Sequence, residues 1–343
     1  MQPCLDTVGR RKEERLDLLV NDPFLNDYQK LLHSKALRRE SYKTQVYTSP
    51  KNSHIRTRRI HTDEVISSAI AIASQLGLNV HLCMAASLGH DIGHTPYGHF
   101  GETVITELSG KGFRHNVFGV ILAQEIERKG QGLNLTYETL WLILNHSRGK
   151  KEYVVGKNMI CEEPVPMWAD KIAYLTSDAN DVVRNGDLSP DKFCEGFQKL
   201  GKSQRERLNT LVSALVEDSR RLGRVDFDRD NPVYQSLEEH RQFMYHEVYP
   251  KMNLNLHREI LQGLYDFFSR EPFFEGVDPA ICLALLTDEE ANHFGELILH
   301  AQKPDLNRIK HYGVCEIIPY LRDKNLGFTD PNLNKEDFTY KQH

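Results

Sequence analysis

Apolar residues recur at helical spacing along most of the chain. Between positions 62 and 76 they stand at Val65, Ile66, Ala69, Ile70, Ala73 and Leu76, three or four apart, which predicts a helix. Gly77 and Asn79 stop it, and 80–88 reads as a second helix, apolar on every side and therefore buried. Gly89, Gly93, Pro96 and Gly98 then break the chain into an irregular turn crowded with histidine. A third helix is expected from about 100 to 108. A fourth starts near Asn116 and carries Val117, Val120, Ile121 and Ile126 before Gly130. Thr136 is placed to cap a helix that runs through Leu140, Leu144 and Asn145.

Residues 149–163 read as a loop or short hairpin, with Tyr153, Val154 and Val155 as strand signals. A strong helix follows over 167–184, ended by Asn185-Gly186. Beyond Pro190 the spacing predicts amphipathic helices at 205–222, 232–249, 254–268 and 289–301. The charged stretch 226–231 is the best-marked internal boundary, and the last fifteen or so residues, being polar, are expected to be loose. No repeat and no heptad run is present. The pattern is that of an all-α protein.

Composition narrows the function classes. The chain has 343 residues, 40% hydrophobic and 27% charged, with a net charge of −5. That is ordinary globular composition, long enough for two domains or one large helical unit. The acidic balance argues against a dedicated nucleic-acid binder but leaves room for a smaller anion in a local basic pocket. No run reaches the roughly 18 apolar residues of a membrane span. The N-terminal polar stretch 10–15 (RRKEER) is unlike a signal peptide. Six scattered cysteines form no Cys-x-x-Cys pair, so a disulfide scaffold and a zinc ribbon are both unsupported. The expectation is a cytoplasmic protein without a membrane partner.

The sixteen histidines say more. His90-Asp91 falls where the buried second helix ends, which can set an imidazole and a carboxylate in one cleft. His61 opens the preceding helix, and Asp170 lies on a later one. Two imidazoles and two carboxylates make a donor set for Mn²⁺, Fe²⁺ or Zn²⁺, and less comfortably for Mg²⁺. A lone His-Asp pair commonly does no more than cap and hydrogen-bond. Here it stands with Arg58, His94, His99, Glu102 and His115 in one segment.

The order His61, His90-Asp91, Asp170 resembles the H…HD…D signature of the HD-domain metal-dependent phosphohydrolases. Further strings are similar to the deoxynucleoside triphosphate triphosphohydrolases, the dGTPase-like branch: 33–39 (HSKALRR), 43–46 (KTQV), 56–58 (RTR), 90–99 (HDIGHTPYGH), 132–136 (GLNLT) and 169–174 (ADKIAY). The resemblance runs from about 23 to 187 and more weakly to about 300. It implies an all-helical HD bundle with an additional helical C-terminal region. The regions are then an N-terminal extension (1–22), a catalytic domain (23–225) and a helical part (226–343) that completes the pocket and offers an oligomer interface.

The same resemblance implies hydrolysis of a deoxynucleoside triphosphate to deoxynucleoside and inorganic triphosphate. His61, His90, Asp91 and Asp170 would hold one divalent metal ion, with a further Mg²⁺ arriving on the nucleotide. His99 would donate a proton to the leaving 5′-oxygen or orient the attacking water, with Glu102 as its acidic companion. Glu102 follows by three residues, so a helix there puts both on one face. His94 would contact phosphate or the groups behind it. Arg58, His115 and Lys171 are phosphate candidates, and Gln45 a contact to sugar or base. Asp170, Tyr174 and Asp178 recur at i, i+4 and i+8 on one helix face. Tyr174 would pack on the sugar and Asp178 lie near its 3′-hydroxyl. The plainer reading of that face is a solvated acidic surface, which Asp181 fits too. Asn116 stands where some relatives carry an acid, and His146 reads as a helix-end histidine or an additional metal or phosphate group. An activating nucleotide and a homo-oligomer complete what the resemblance implies. The competing readings are another HD nucleotide phosphohydrolase (5′-nucleotidase or phosphodiesterase) and a nucleotide-sensing scaffold without turnover.

Overall fold

The computed structural model describes residues 1–14, 21–48, 50, 52–147, 160–249, 255–300 and 309–341. The fold is all-α as expected. The β pairing among the described residues consists of two isolated antiparallel bridges, Arg10 with Tyr340 and Thr44 with Thr57. The first half contains α1 (Pro23–Leu32), α2 (Lys35–Glu40), α3 (Arg58–Leu76), α4 (Val80–Gly89), α5 (Gly98–Ser109), α6 (His115–Ile121), α7 (Tyr137–Asn145) and α8 (Pro164–Asn185). The second half adds α9 (Glu195–Leu200), α10 (Gln204–Leu222), α11 (Pro232–Phe243), α12 (Asn255–Arg270), α13 (Pro279–Ala284), α14 (Asp288–His300) and α15 (Gly313–Ile317). The strand signals at Tyr153, Val154 and Val155 lie outside the described residues.

Local chemistry explains most boundaries. Asp22 accepts from the N–H groups of Phe24 and Leu25 and so starts α1, while Asn79 and Thr136 cap α4 and α7 the same way. Gly77 and Gly186 end α3 and α8 in the left-handed conformation. Helix α3 begins four residues before the apolar spacing does, because Thr57 is still extended and bridged to Thr44. His61 therefore lies inside its first turn. The fourth expected helix and the one over 232–249 both end as π-helical turns, at Leu122–Ile126 and Met244–Val248.

Helix α4 is the centre of the packing. It touches α1, α3, α7 and α8, and its Leu82, Cys83, Ala85, Ala86 and Leu88 are fully buried. Each large apolar side chain so buried contributes about 1.5–3 kcal/mol. Helices α3 and α8 pack along each other through Val65, Ala69, Ile72 and Ala73 against Trp168, Ala169, Ile172 and Ala173. These three mutually packed helices carry His61, His90 and Asp170. A second core joins α5, α6 and α7 to α12 and the segments after it. Both cores take residues from each side of the charged stretch 226–231, within which Asp226 and Phe227 are buried. The polar tail is not loose as expected: Phe338 is buried, and Tyr340 exchanges backbone hydrogen bonds with Arg10. No helix among the described residues is long and apolar enough to cross a membrane.

The histidine-rich turn between α4 and α5 leans directly on α6. A Cβ at Gly93 would sit 2.2 Å from the carbonyl oxygen of His115 and 2.3 Å from the nitrogen of Gly119. Both obstacles are backbone and cannot swing aside. Gly93→Ala is therefore expected to lose about 1–3 kcal/mol of stability, read as a lower melting temperature. An unchanged melt would show that the turn can lift off α6.

Candidate metal centre

His90 follows the last turn of α4, and its Nδ1 donates to the carbonyl oxygen of Ser87 at 2.7 Å. That bond leaves Nε2 as the nitrogen with a free lone pair. Nε2 is buried and has no hydrogen-bond partner. It lies 3.5 Å from Asp91 Oδ1 and 3.9 Å from Asp170 Oδ1. His61 Nε2 stands 2.9 Å from the same Asp170 oxygen. Donor atoms of His61, His90 and Asp170 all fall within 4.8 Å of one another. A buried, unpartnered lone pair beside two carboxylates is costly unless something positive fills the gap. The residues fit a divalent cation, and the carbonyl behind His90 is the usual orienting partner of a metal-binding imidazole.

Both carboxylates are ionised, Asp91 despite its burial and Asp170 at a half-buried position. His61 and His90 bring Asp170 down to about 2. His90, His94 and Arg58 hold Asp91 well below the usual range. Asp91 differs from the other three expected ligands, because it also closes a second group. Its Oδ2 accepts from Arg58 Nη1 at 2.6 Å, its Oδ1 is 3.2 Å from His94 Nε2, and it clusters with His115 and His146.

Glu102 organises the neighbouring imidazoles. Its Oε1 accepts from Nδ1 of His99 and of His115, both at 2.9 Å, and lies 3.1 Å from His94 Nδ1. The rings of His94 and His115 stack at 3.9 Å. Burial and the charge of Arg58 push His94 down to about 3, so that ring is neutral. Crowding also works against a charge on His99, but the Glu102 hydrogen bond and charge outweigh it and raise its pKa. Among the four, His99 alone is open to solvent, its side chain 74% exposed. The geometry thus separates a ring with a lone pair to offer, His90, from a ring with a proton to offer, His99.

Both groups face one cavity of about 330 Å³. Its walls include His61, Asp91, His94, His99, His115 and Asp170, together with Gln45, Arg58, Tyr174 and Asp178. Arg58 is pressed onto Gly98, where a Cβ would stand 2.7 Å from its Nη2. Gln45 presents a buried Oε1 without a partner. The α8 face is not a solvated acidic surface. Arg56 donates to Asp178 at 2.5 Å and to Asp181 at 2.8 Å, and Tyr249 donates to Asp178 at 2.8 Å. Lys171 is not brought to the cavity. Being one residue from Asp170 puts it about 100° round the helix, where its Nζ lies over the Trp168 ring at 4.8 Å. Asn116 ties the chain locally, donating to the carbonyls of Leu144 and Ser147. His146 donates from Nδ1 to Ile143 O at 2.7 Å and turns Nε2 to His115 Nε2 at 3.2 Å.

An HD domain profile matches residues 58–175, the span that holds His61, His90, Asp91, His94, His99, Glu102, His115, His146 and Asp170. The chain is 36% identical over 269 residues to a deoxyguanosinetriphosphate triphosphohydrolase-like protein of Caldanaerobacter subterraneus subsp. tengcongensis, covering 77% of this chain and 76% of that protein. A protein of the same name from Clostridium tetani is 36% identical over 271 residues, covering 77% of each chain. A third, from Clostridium perfringens, is 41% identical over 212 residues, 62% of this chain and 61% of its own. The chain belongs to this dGTPase-like HD family. It is a metal-dependent HD phosphohydrolase.

Four residues of this HD phosphohydrolase site gave little sign of themselves in the sequence. Glu40 is buried beside the centre, accepts from Thr62 Oγ1 at 2.8 Å, and keeps Oε1 without a partner. Burial and the Asp91 charge push its pKa up to about 7. Its only signal was its place directly after the 33–39 string. Tyr245 and Tyr249 reach the cavity from the π turn after α11, and their spacing of four was the available signal. Arg56 lay inside a family string but had no assigned part. Replacing His90 by alanine removes the unpartnered Nε2. That variant is expected to bind divalent metal only substoichiometrically by elemental analysis, with an unchanged far-ultraviolet circular dichroism spectrum. Full metal content would remove His90 from the centre.

Proposed function

We propose that this HD phosphohydrolase cleaves a deoxynucleoside triphosphate into deoxynucleoside and inorganic triphosphate. One observation carries the reading. A single cavity is walled by His61, Asp91 and Asp170, by the exposed imidazole of His99, and by Tyr174 and Asp178. The relatives' shared name supports that substrate class. His61, His90, Asp91 and Asp170 would hold the ion, which when bound supplies charge against phosphate oxygens and lowers the pKa of its water. The imidazole-rich donor set favours Mn²⁺, Fe²⁺ or Zn²⁺ there, and Mg²⁺ would travel with the triphosphate. A homo-oligomer, an activating nucleotide and a cytoplasmic location belong to the same proposal.

The side chains divide the remaining work. Arg58 offers guanidinium N–H groups to phosphate oxygens. Ionised Glu102 engages Nδ1 of His99 and favours its charged form, leaving the Nε2 proton free. Water adds to the α-phosphorus and gives up a proton to solvent, the bond to the 5′-oxygen breaks, and His99 gives its Nε2 proton to the departing oxygen. Tyr174, Tyr245 and Tyr249 crowd the sugar end, which disfavours a 2′-hydroxyl, and Asp178 is offered to the 3′-hydroxyl.

The test is to incubate the protein with Mn²⁺ or Mg²⁺ and each of the eight common nucleoside triphosphates, singly and mixed. Deoxynucleoside plus intact triphosphate is the expected product pair. Monophosphate plus pyrophosphate would instead indicate another HD chemistry. His99→Ala is expected to keep its metal and turn over at least about a hundredfold slower. In the wild type, kcat should fall as pH rises through the His99 pKa. Because Glu102 raises it, that limb should lie above the ordinary imidazole value of about 6.5. A near-normal rate in His99→Ala would remove it from the chemistry.

A further inference from the structure

The two histidines offered to the ion are backed differently. His90 rests its Nδ1 on the carbonyl oxygen of Ser87. His61 turns Nε2 to Asp170, but its Nδ1 is buried with no hydrogen-bond partner. An imidazole that gives one nitrogen to a metal carries its proton on the other, and that N–H almost always meets a carboxylate, a carbonyl or water. A buried donor left bare costs about 1–3 kcal/mol. The His61 ring therefore calls for an acceptor behind it.

Uncommitted acceptors are few. Among the described residues, the buried carboxylate oxygens without a partner belong to Glu40 and Glu162. Glu162 lies at the N-terminus of α4, where it accepts from the backbone of Cys4 and Asn79. Glu40 ends α2, and its other oxygen accepts at 2.8 Å from the hydroxyl of Thr62, the residue that follows His61. That bond ties the C-terminus of α2 to α3 one residue from a ligand. Glu40 is 1% exposed and Thr62 fully buried, so this is no solvated acid. Ala36 and Leu37 on the same short helix join the apolar core, and an apolar side chain at 40 would avoid the penalty of burying a carboxyl group. The penalty is offset where positive charge stands nearby. Against the effect of burial, Asp91, Asp170 and Glu40 together favour positive charge at His90. The centre thus has a third carboxyl group behind the two that face the gap.

We propose that Glu40 is a positioning residue of the metal centre: it holds the start of α3 through Thr62, and its free oxygen is the acceptor for His61 Nδ1–H in the metal-loaded protein. The inference rests on the assignment of His61 to the ion and not on the reaction. It is tested on the full-length, Mn²⁺-loaded protein by competition with a chelator of known Mn²⁺ affinity. Glu40→Gln keeps the size of the side chain and an oxygen for Thr62, and removes the charge. It is expected to hold Mn²⁺ about 10–100-fold more weakly, the usual effect of losing an acceptor behind a ligand imidazole. In excess chelator it should melt at or above the wild-type temperature, because a buried carboxyl group beside Asp91 has been neutralised. A carboxylate that only packs would not produce this opposed pair of effects. Loaded with Co²⁺, the variant is expected to show an altered visible absorption spectrum. Should Glu40→Gln fold poorly, Thr62→Val is read in the same competition, with weaker Mn²⁺ binding expected. Wild-type Mn²⁺ affinity in the variant that is read would overturn the proposal, whatever its melting temperature. His61→Ala separates the two readings. Weakened binding there beside wild-type binding in Glu40→Gln overturns the role of Glu40 alone, whereas wild-type binding in both removes His61 from the centre as well.

Discussion

The structure around the cavity depends on keeping the Asp91 carboxylate ionised in a buried position. It is 5% exposed, at the end of an apolar helix. Such a charge is tolerated only when its oxygens are fully engaged, and removing one partner of a buried pair costs about 3–5 kcal/mol. Arg58 takes one oxygen, and the imidazoles of His90 and His94 crowd the other. Each partner comes from a different place: the first turn of α3, the C-terminus of α4, and the turn beyond it. The turn is also held from below, where Gly93 must be bare against the α6 backbone, and Arg58 is pinned on Gly98. The carboxylate fixes the turn, and the turn fixes the histidines.

What lies behind each ring then decides what the ring can do. His90 and His146 both donate from Nδ1 to a carbonyl three residues back, a neutral acceptor. Such a bond selects a tautomer without adding charge, so Nε2 stays a donor atom for a cation. His99 and His115 lean instead on the ionised Glu102. At His99 that carboxylate raises the pKa and favours the imidazolium, which suits proton donation. One short segment thus gives His90 and His99 different partners behind Nδ1, a carbonyl for the first and a carboxylate for the second.

Much of this was legible in the sequence, and the reasons for success and failure are physical. Helices α3 and α8 announce themselves because burial imposes a period on their apolar residues and a left-handed glycine ends each, and α4 because it is apolar on every side. His61, His90, Asp91 and Asp170 stand out because their spacing matches a known family order. The π turns at Leu122–Ile126 and Met244–Val248 were invisible, since an extra residue per turn leaves composition unchanged. Glu40 was missed for a different reason: a carboxylate on a short polar helix looks solvated until tertiary packing buries it. Lys171 shows the converse error, where adjacency in sequence suggested adjacency in space. Helical rotation sends its ammonium to Trp168. The polar tail was misjudged because one phenylalanine, Phe338, outweighs its many polar neighbours.

The cavity also needs the second half of the chain, and the connection is hydrogen-bonded as well as apolar. Asp288, at the start of α14, accepts from the backbone N–H and the hydroxyl of Thr44 and, at 3.0 Å, from the N–H of Tyr97. One carboxylate therefore holds the strand-like segment that presents Gln45 and the left-handed residue that opens α5. Lys43 adds a donor to the carbonyls of His94 and Ala284, buried at the same junction. On the opposite wall Tyr249 reaches Asp178, whose charge Arg56 already balances. Residues after position 226 thus brace the cavity from two sides without supplying any of the metal donors. Asp288 on one side and Asp178 on the other are the joints between the two halves of the chain.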